Sequence, residues 1–448
     1  MFVKYILPKC SLRRYHTVII RSLITIHMSE TAKAVEEGGV LAPNDHRRLG
    51  QELGLFTFSD LVGSGLPLWL PKGATIRRIL ERFIVDTEIA WGYHHVYTPD
   101  IAKLDLYKTS GHYPYYKDSM YAPIEIDDHE FMLRPMTCPH HFQVYADRPK
   151  SYRDLPLRIA ELAKLYRYEG SGELSGLVRV RSFCLADAHI ICTDKDQAAN
   201  EVDKALDLIE YIASVFGLTL GENYSYRLSL GDRSDETKYY KNDVAWDEGE
   251  AMLRNVLQNR KGNFVEAIGE AAFYGPKIDI QMKDARGKEN TAFTVQYDFC
   301  MPDRFNLVYT AADGQERRPV VVHRSSIGAI ERVMAFLIEH YAGAFPVWLA
   351  PVQAKILPIG EGHHAYAKKI GETLNKQGIR AEVDTTSESL GKRIRMAKTE
   401  KTPYLIVVGD KEQEAETVSV EHRKDGQLGS KTLPETIELI LEAIEKKQ

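Results

Sequence analysis

The sequence predicts an α+β protein: an antiparallel sheet with helices forms the main domain, and a smaller α/β domain with a mixed, mostly parallel sheet follows it. Two observations support this class. Residues 157–168 and 177–184 have strand patterns, and residues 169–172 (Glu-Gly-Ser-Gly) between them favour a turn, which predicts an antiparallel hairpin. After Pro346, strand and helix patterns alternate, which indicates a sheet covered by helices.

The elements before the hairpin follow from hydrophobic spacing. Residues 30–59 are polar and are predicted to form a helical lead-in, and residues 66–71 form a short apolar segment that we expect to be buried. Apolar residues recur at helical spacing over residues 74–91. Residues 95–99 then read as a strand that ends in a proline.

The elements after the hairpin alternate between strands and helices. In the main domain we predict a helix at 194–217, strands within 218–231, a helix-rich segment at 232–260, strands at 278–280 and 295–299, and a buried strand from 319 that gives way to a helix at Gly328. In the last domain we predict strands at 354–359, 379–383, 404–408 and 417–420, and helices at 365–376, 391–401 and 435–444.

Composition excludes several classes of protein. The chain has 448 residues, a formal net charge of -5 and five scattered cysteines. An odd number of scattered cysteines favours a reducing compartment, interpreted as the cytoplasm, over a disulfide scaffold. No apolar run reaches the roughly 18 residues of a membrane helix, so no membrane partner is expected. The slightly acidic balance does not by itself indicate a nucleic-acid-binding protein, although local basic surface could still bind one.

The first residues differ in character from the rest. Residues 1–27 carry lysines and arginines and no acidic residue, which is typical of a targeting peptide for the mitochondrial matrix. The alternative, which we favour, is an upstream extension with Met28 as the true start. We therefore divide the chain as follows: a leader or extension at 1–28, a lead-in at 29–62, the main domain at 63–345 and the last domain at 346–448.

The hairpin carries clustered arginines. Arg167, Arg179 and Arg181 are expected to lie near the loop, with Glu169 beside them. Clustered guanidinium groups on strands suit a polyphosphate, because each can bind two phosphate oxygens. From composition alone, a salt-bridged surface hairpin is the simpler interpretation.

The order of these residues resembles a known family. The residues at 167–169, the loop, and Arg179-x-Arg181-x-Phe183 resemble motif 2 of the class II aminoacyl-tRNA synthetases, and residues 187–189 (Asp-Ala-His) complete the form found in threonyl-tRNA synthetases. Residues 74–99 resemble motif 1, which builds a homodimer interface in that family, and residues 319–332 resemble motif 3. The last domain is similar to the family's anticodon-binding domain.

This resemblance implies an activity. A class II catalytic domain would activate L-threonine with ATP and transfer it to tRNA(Thr), with zinc selecting the amino acid and Mg²⁺ accompanying ATP. It implies catalytic roles for Arg167, Lys277, Arg332 and His112; ATP contacts from Arg167, Glu169, Arg179, Gln296 and Arg332; threonine contacts from Met136, Asp187, Tyr274 and Gln296; zinc ligands Cys138, His189 and His323; and anticodon contacts from Glu412 and Ser387.

Zinc explains the choice of amino acid in this hypothesis. Catalytic zinc needs three protein ligands and an open position, and an open zinc can take both the amino group and the side-chain hydroxyl of threonine. Valine lacks that hydroxyl, whereas serine differs by one methyl group, worth about 1–3 kcal/mol in a pocket. His140 and His141 are local competitors for the metal, which we rank below the implied ligands.

The sequence departs from the family at several positions. Leu185 and Ala186 stand where the family often has Gln and Asp, and Ala329 replaces a common serine. Ser387 and Glu421 stand where the family has Asn and Arg. Two alternatives therefore stay open: a synthetase-like binding protein without catalysis, or a class II synthetase for another amino acid, with proline or serine nearest. The residues before Gly63 are too few for an editing module, so we expect no editing by this chain and mis-charging with serine.

Overall fold

The computed structural model describes residues 41–235, 237–260 and 263–448. The predicted leader and the first part of the lead-in lie outside these residues. The lead-in and the main domain contain strands β1 Phe56–Thr57, β2 Leu68–Trp69, β3 His94–His95, β4 Ile101–Lys103, β5 Ile124–Ile126, β6 His129–Leu133, β7 Leu157–Tyr166, β8 Ser182–Cys192, β9 Tyr224–Leu230, β10 Phe264–Ile268, β11 Lys277–Lys283, β12 Glu289–Asp298, β13 Tyr309–Thr310, β14 Glu316–Arg317 and β15 Val320–Ala329.

Helices are present at the predicted positions 74–91, 194–217 and 232–260. The helices described in the lead-in and the main domain are α1 His46–Glu52, α2 Pro71–Ala90, α3 Leu104–Ser110, α4 His112–Tyr115, α5 Cys138–Ala146, α6 Lys195–Val215, α7 Asp243–Asn259, α8 Met301–Arg304 and α9 Ile330–His340. Within the described residues, no helix is both long and apolar enough to span a bilayer.

An eight-stranded sheet organises the main domain, in the order β10-β9-β11-β12-β15-β8-β7-β3. The six central strands pair antiparallel, as predicted, while the edge pairs β9–β10 and β3–β7 are parallel. The predicted hairpin is the β7–β8 pair, whose register runs from Leu157 opposite Ile191 to Tyr166 opposite Ser182. Helices α6 and α9 pack on this sheet and share one hydrophobic core with α2.

Three local predictions were wrong. The second strand of the hairpin begins at Ser182 rather than at residue 177, because residues 177–181 pass the opening of the loop. Arg181 lies near the loop, as expected, and donates to the carbonyl of Glu169 at 2.9 and 3.0 Å, which closes the loop. The strand expected at 95–99 is limited to β3. Residues 66–71 are not buried: Leu68 is exposed in a two-residue pairing with β1.

Gly328 does not start a helix, although the sequence predicted one there. It lies in β15 with a φ of 69°, and α9 begins two residues later, at Ile330. A Cβ atom at Gly328 would lie 2.0 Å from the carbonyl oxygen of Ala292 on β12. The glycine is therefore needed for the close approach of the two backbones, which only a residue without a side chain permits at positive φ.

The last domain has strands β16 Ala354–Pro358, β17 Ala381–Val383, β18 Tyr404–Val408, β19 Thr417–His422 and β20 Gly426–Thr432, and helices α10 His364–Lys376, α11 Leu390–Thr399, α12 Asp410–Glu414 and α13 Leu433–Glu445. The strand order is β17-β16-β18-β19-β20. The sheet is mixed, as expected, but it has two parallel and two antiparallel pairs rather than mostly parallel ones. The difference arises from β20, which the sequence analysis missed because its glycines and lysine obscure the strand pattern.

Ion pairs fix α2 to the main sheet and to α9. Glu88 of α2 contacts Arg324 of β15, accepts from the Ser326 hydroxyl at 2.6 Å, and lies 2.9 Å from His95. Burial opposes the ionisation of Glu88, but Arg324 and the hydrogen bonds lower its pKa below the ordinary value. A second pair joins Arg77 of α2 to Glu331 of α9 at 2.5 Å. The strands are therefore tied to α2 by charge as well as by packing.

We predict that Glu88→Ala lowers the free energy of unfolding by about 3–5 kcal/mol, because Arg324 would be left buried without its counter-charge. Urea denaturation followed by circular dichroism measures this change. Glu52→Ala is the control: its exposed pair with Arg48 contributes roughly 0–1 kcal/mol. Similar losses for the two variants would contradict the prediction.

Candidate active site

A cavity of about 430 Å³ opens on one face of the main sheet. Phe183, Leu185, Asp187 and His189 line it at alternate positions of β8, since every second side chain of a strand points to the same face. β12 and β15 supply the neighbouring wall. This one cavity contains every residue to which the sequence analysis gave a role toward ATP, threonine or zinc, except His112, which lines an adjoining cavity of about 300 Å³.

Cys138, His189 and His323 come together at one end of the main cavity. Each offers a ligand atom, and these atoms all lie within 4.8 Å of one another. The register of the β8–β15 pair places His189 directly opposite His323, and Cys138 approaches them as the first residue of α5. A thiol and two imidazoles with an opening to a cavity are a donor set that suits catalytic zinc.

A series of hydrogen bonds determines which ring nitrogen of His189 carries the proton. The carboxylate of Glu161 lies 3.3 Å from Nε2 of His141, and Nδ1 of His141 lies 2.8 Å from Nδ1 of His189. Because the carboxylate only accepts, the proton of neutral His141 is on Nε2, so its Nδ1 accepts from His189. Nε2 of His189 then carries the lone pair that a metal ligand requires. His141 is thus a supporting residue, since both of its nitrogens are already used.

Asp298 has the same role for His323. Its carboxylate accepts from Nε2 of His323 at 2.7 Å and from the backbone N–H groups of Cys300 and Met301 at 2.8 and 2.9 Å. This bond leaves Nδ1 of His323 as the nitrogen with a lone pair. Asp298 was not among the predicted site residues. It lies two residues after Gln296 on β12, however, and this spacing indicates that both side chains point to the same face of the sheet.

The thiol of Cys138 needs a nearby cation to ionise. Burial raises its pKa well above the ordinary value, and the carboxylates of Asp187 and Asp298 raise it further. Burial likewise lowers the pKa of His189 well below the ordinary value, so its imidazole stays neutral. A neutral imidazole at His189 and a thiol that ionises only beside positive charge favour the binding of a metal ion.

His112 is buried at the start of α4. Its Nδ1 lies 2.8 Å from the hydroxyl of Ser110, and its Nε2 lies 3.9 Å from the sulfur of Cys138. Burial lowers the pKa of His112 to about 3, with His323 and Arg167 contributing in the same direction. The imidazole is therefore neutral at physiological pH.

The residues assigned to threonine surround the metal-ligating group. Asp187 accepts from the hydroxyl of Thr137 at 2.7 Å, and burial raises the pKa of its carboxyl although that bond opposes the shift. Tyr274 donates to Gln296 at 2.7 Å, and its ring stacks on that of His323 with the centroids 4.7 Å apart. These contacts hold polar groups at the wall of the cavity.

Guanidinium groups converge at the other end of the cavity. Arg332 donates to the carbonyls of Val178 and Thr291 at 3.0 and 2.6 Å, and burial lowers its pKa to about 10, with the charges of Arg167 and Arg179 adding to the shift. Arg167 contacts the sulfur of Met136 at 3.1 Å. Because like charges repel, this end of the cavity favours a multiply charged anion.

Two acidic residues orient the remaining cations. Glu169 pairs with Arg179 at 3.3 Å, near the start of the loop. Asp279, fully buried on β11, lies 2.9 Å from Nζ of Lys277 and also accepts from the hydroxyl of Ser229 at 2.7 Å. Asp279 was not among the predicted site residues, because the prediction for this segment was limited to Lys277.

Two of the departures from the family pattern, Leu185 and Ala329, lie together. Leu185 and Ala329 are register partners of β8 and β15, and they pack with Val180 and Phe183 in one apolar cluster. An apolar pair thus occupies both sides of the contact where the family has polar residues. Nearby, the hydroxyl of Ser325 is buried and has no hydrogen-bond partner among the described residues.

The residues assigned to the anticodon lie on the last domain. Ser387 is exposed in the segment between β17 and α11, and the carboxylate of Glu412 accepts from the N–H of Gly409 at 2.9 Å, capping α12. Their contact with an anticodon stays a prediction. On α11, Arg393 is buried and donates to the carbonyls of Asp384 and Pro358 at 2.8 and 2.7 Å, so it holds the fold of the last domain.

Two family models match the chain. Residues 121–341 match the class II core domain of tRNA synthetases (G, H, P, S and T), and residues 353–443 match an anticodon binding domain.

Individual relatives agree with this assignment. The chain is 52% identical over 390 residues to a threonine–tRNA ligase from Halalkalibacterium halodurans, a match that covers 87% of this chain and 60% of the relative. The chain thus spans about 60% of the length of the curated relatives it matches. The RNA binding domain of threonyl-tRNA synthetase from Cryptosporidium parvum Iowa II is 36% identical, with a TM-score of 0.83 over 89% of this chain and 98% of that one. A putative threonyl-tRNA synthetase from Aeropyrum pernix is 28% identical, with a TM-score of 0.78 over 90% and 97%.

We predict that Leu185 and Ala329 are coupled. Leu185→Gln should lower the free energy of unfolding by about 1–3 kcal/mol, because it places an amide in an apolar cluster. Adding Ala329→Ser should recover about 0.5–1.5 kcal/mol, since the hydroxyl can bond the amide. A double-mutant cycle by urea denaturation measures the coupling, and effects that simply add would contradict it.

Proposed function

Because this chain belongs to the threonyl-tRNA synthetase family of class II synthetases, we propose that it is a threonine–tRNA ligase. It would activate L-threonine with ATP to form threonyl-adenylate and then transfer the threonyl group to tRNA(Thr). The observation that carries the proposal is the content of one cavity: a metal-ligating group at one end and converging guanidinium groups at the other, joined by the alternating side chains of β8.

Zinc is part of the proposal because the residues present fit it. Cys138, His189 and His323 would hold the ion, and Glu161 and Asp298 would orient the two imidazoles through the hydrogen bonds described above. When bound, zinc would supply an open coordination position for the amino and hydroxyl groups of threonine. Asp187 lies beside this group and would accept a hydrogen bond from the threonine hydroxyl.

In the activation step, a carboxylate oxygen of threonine attacks the α-phosphorus of ATP and the bond to pyrophosphate breaks. Arg167 and Lys277 would stabilise the negative charge that develops at the α-phosphate, while Arg179 and Arg332 hold the leaving pyrophosphate and Glu169 and Gln296 contact the nucleotide. Mg²⁺ would accompany ATP. Because Arg179 and Lys277 are paired with carboxylates and Arg332 donates to carbonyls, most of the rate gain would come from placement and electrostatics.

In the transfer step, the terminal ribose hydroxyl of the tRNA attacks the threonyl carbonyl carbon and AMP leaves. His112 is the candidate base, and its position against Met136 and Arg167 in the adjoining cavity supports this role. A pKa of about 3 makes it a weak base, so its proposed part is to accept a hydrogen bond from the hydroxyl and to take the proton only as the ester forms.

The last domain would bind the anticodon of tRNA(Thr), in keeping with its family match at residues 353–443.

We also propose a homodimer. The edge strand β3 is followed by Tyr97, whose ring is exposed, and the nearby small sheet exposes Ile101, Ile124 and Ile126. Apolar side chains on an edge of this kind favour contact with a second copy.

We predict that, in an amino-acid-dependent pyrophosphate-exchange assay, threonine supports the fastest exchange. Serine should be activated roughly 10–200-fold less efficiently, because one methyl group is worth about 1–3 kcal/mol in a pocket, and valine should be activated less efficiently still because it lacks the hydroxyl.

In the same assay, Arg332→Ala should abolish most exchange. The control is Arg317→Ala, which removes an exposed arginine on β14. Highest activity with proline or serine would favour another synthetase, and no exchange with any amino acid would favour a binding protein without catalysis.

We predict that the purified protein binds about one zinc ion per chain and that Cys138→Ala loses it, because the three ligands act as a set. Metal content after gel filtration, measured by plasma mass spectrometry, is the readout. Cys192→Ala removes another buried thiol on β8 that is not in the group and should retain the metal. Equal zinc in the two variants would exclude the proposed ligand set.

A further inference from the structure

His46 connects the lead-in to the guanidinium end of the cavity. It is the first residue of α1 and is 3% exposed. Its Nδ1 lies 2.6 Å from the carboxylate of Glu339 on α9, and its Nε2 lies 3.1 Å from the backbone nitrogen of Leu177. Since the carboxylate only accepts, Nδ1 carries the proton and Nε2 accepts from the N–H of Leu177. The imidazole thus links α9 to the segment that precedes Arg179.

The backbone beside Leu177 is shaped to admit this imidazole. Gly176 has a φ of 48°, and a Cβ atom on it would lie 2.3 Å from Nε2 of His46 and 2.7 Å from the side chain of Arg47. Neither the left-handed conformation nor this approach suits a residue with a side chain. His46, Gly176 and Leu177 therefore form one closely fitted contact.

The same segment holds Arg332. Its Nε donates to the carbonyl of Val178 at 3.0 Å, one residue after the N–H that His46 fixes. Leu177, Val178 and Arg179 all line the main cavity. His46 and Arg332 thus hold backbone groups of the neighbouring residues Leu177 and Val178, and both connect to α9, which carries Arg332 and Glu339.

The group Asp45, His46 and Glu339 is also close enough to hold a metal ion, with ligand atoms within 4.8 Å of one another. Its ligand atoms are already engaged, however. Asp45 pairs with Arg47 at 2.8 Å, and Glu339 accepts from His46 and from the N–H of Ala285 at 2.6 Å. The contacts favour a hydrogen-bonded brace over a metal site.

We propose that His46 is a positioning residue for the nucleotide: it holds residues 176–178 so that Arg332 and Arg179 meet the phosphates of ATP. The proposal rests on the ligase function proposed above. It implies that the lead-in, which precedes the matched core domain, is part of the catalytic apparatus. His46 is not itself a lining residue of the cavity, so its effect passes through Leu177 and Val178.

The test is steady-state pyrophosphate exchange with ATP and threonine varied separately. His46→Ala should raise the KM for ATP about tenfold, since a lost hydrogen bond of about 1.4 kcal/mol corresponds to a factor of ten, and should leave the KM for threonine within about twofold. His46→Gln can keep one donor and one acceptor and should recover part of the loss. His340→Ala, which changes the residue beside Glu339 on α9, is the control and should match the wild type.

A second variant keeps the proposal testable if His46→Ala misfolds. Gly176→Ala retains the histidine at position 46, but its added methyl group would displace the imidazole from Leu177, so this variant should raise the KM for ATP in the same way. A rise in both KM values together, or a lower melting temperature with unchanged KM for ATP in both variants, would overturn the proposal. Wild-type protein without exchange activity would instead refute the proposed ligase function, so the two failures are distinguishable.

Discussion

The register between β8 and β15 is the constraint on which the rest of the site depends. It places His189 opposite His323 and Asp187 opposite Ser325, and, after a shift in register, Leu185 opposite Ala329. A slip of one residue would turn each of these side chains to the opposite face of the sheet. Gly328 allows β15 to lie close against β12 at the point where the register shifts, and Glu88 holds β15 from behind through Arg324 and Ser326.

Opposite electrostatic preferences mark the two ends of the cavity. At one end, burial holds the thiol of Cys138 and the imidazole of His189 in their neutral forms, so a metal ion would gain a full set of ligands on release of one proton. At the other end, Arg332 is buried near the guanidinium groups of Arg167 and Arg179, whose charges lower its pKa. The arrangement therefore favours a cation at one end and a polyanion at the other, and a bound nucleotide would relieve the repulsion among the guanidinium groups.

Much of the fold could be predicted from the sequence, because long elements have clear periodicity. The hairpin and the helices α2, α6 and α13 lie where their hydrophobic spacing placed them. Short or glycine-containing strands could not be found in this way: β20 has little apolar pattern, and the strand β15 continues through Gly328, where the sequence predicts the start of a helix.

The candidate site was predictable in its ligating and cationic residues but not in their supports. Cys138, His189 and His323 could be named from the family pattern, whereas Glu161, His141 and Asp298 gain their roles only from the packing of distant strands. His46 is a similar case, since nothing in the lead-in indicates that its partner is Leu177, 131 residues away. Hydrogen bonds between residues far apart in sequence leave no periodic signal along the chain.

X-ray absorption spectroscopy of the zinc-loaded protein tests the central claim most directly, because it reports the atoms around the ion. The account predicts one sulfur at about 2.3 Å and two imidazole nitrogens at about 2.0–2.1 Å, with the remaining position occupied by water or substrate. A shell without sulfur, or one with several sulfurs, would contradict the meeting of Cys138, His189 and His323 around a single ion.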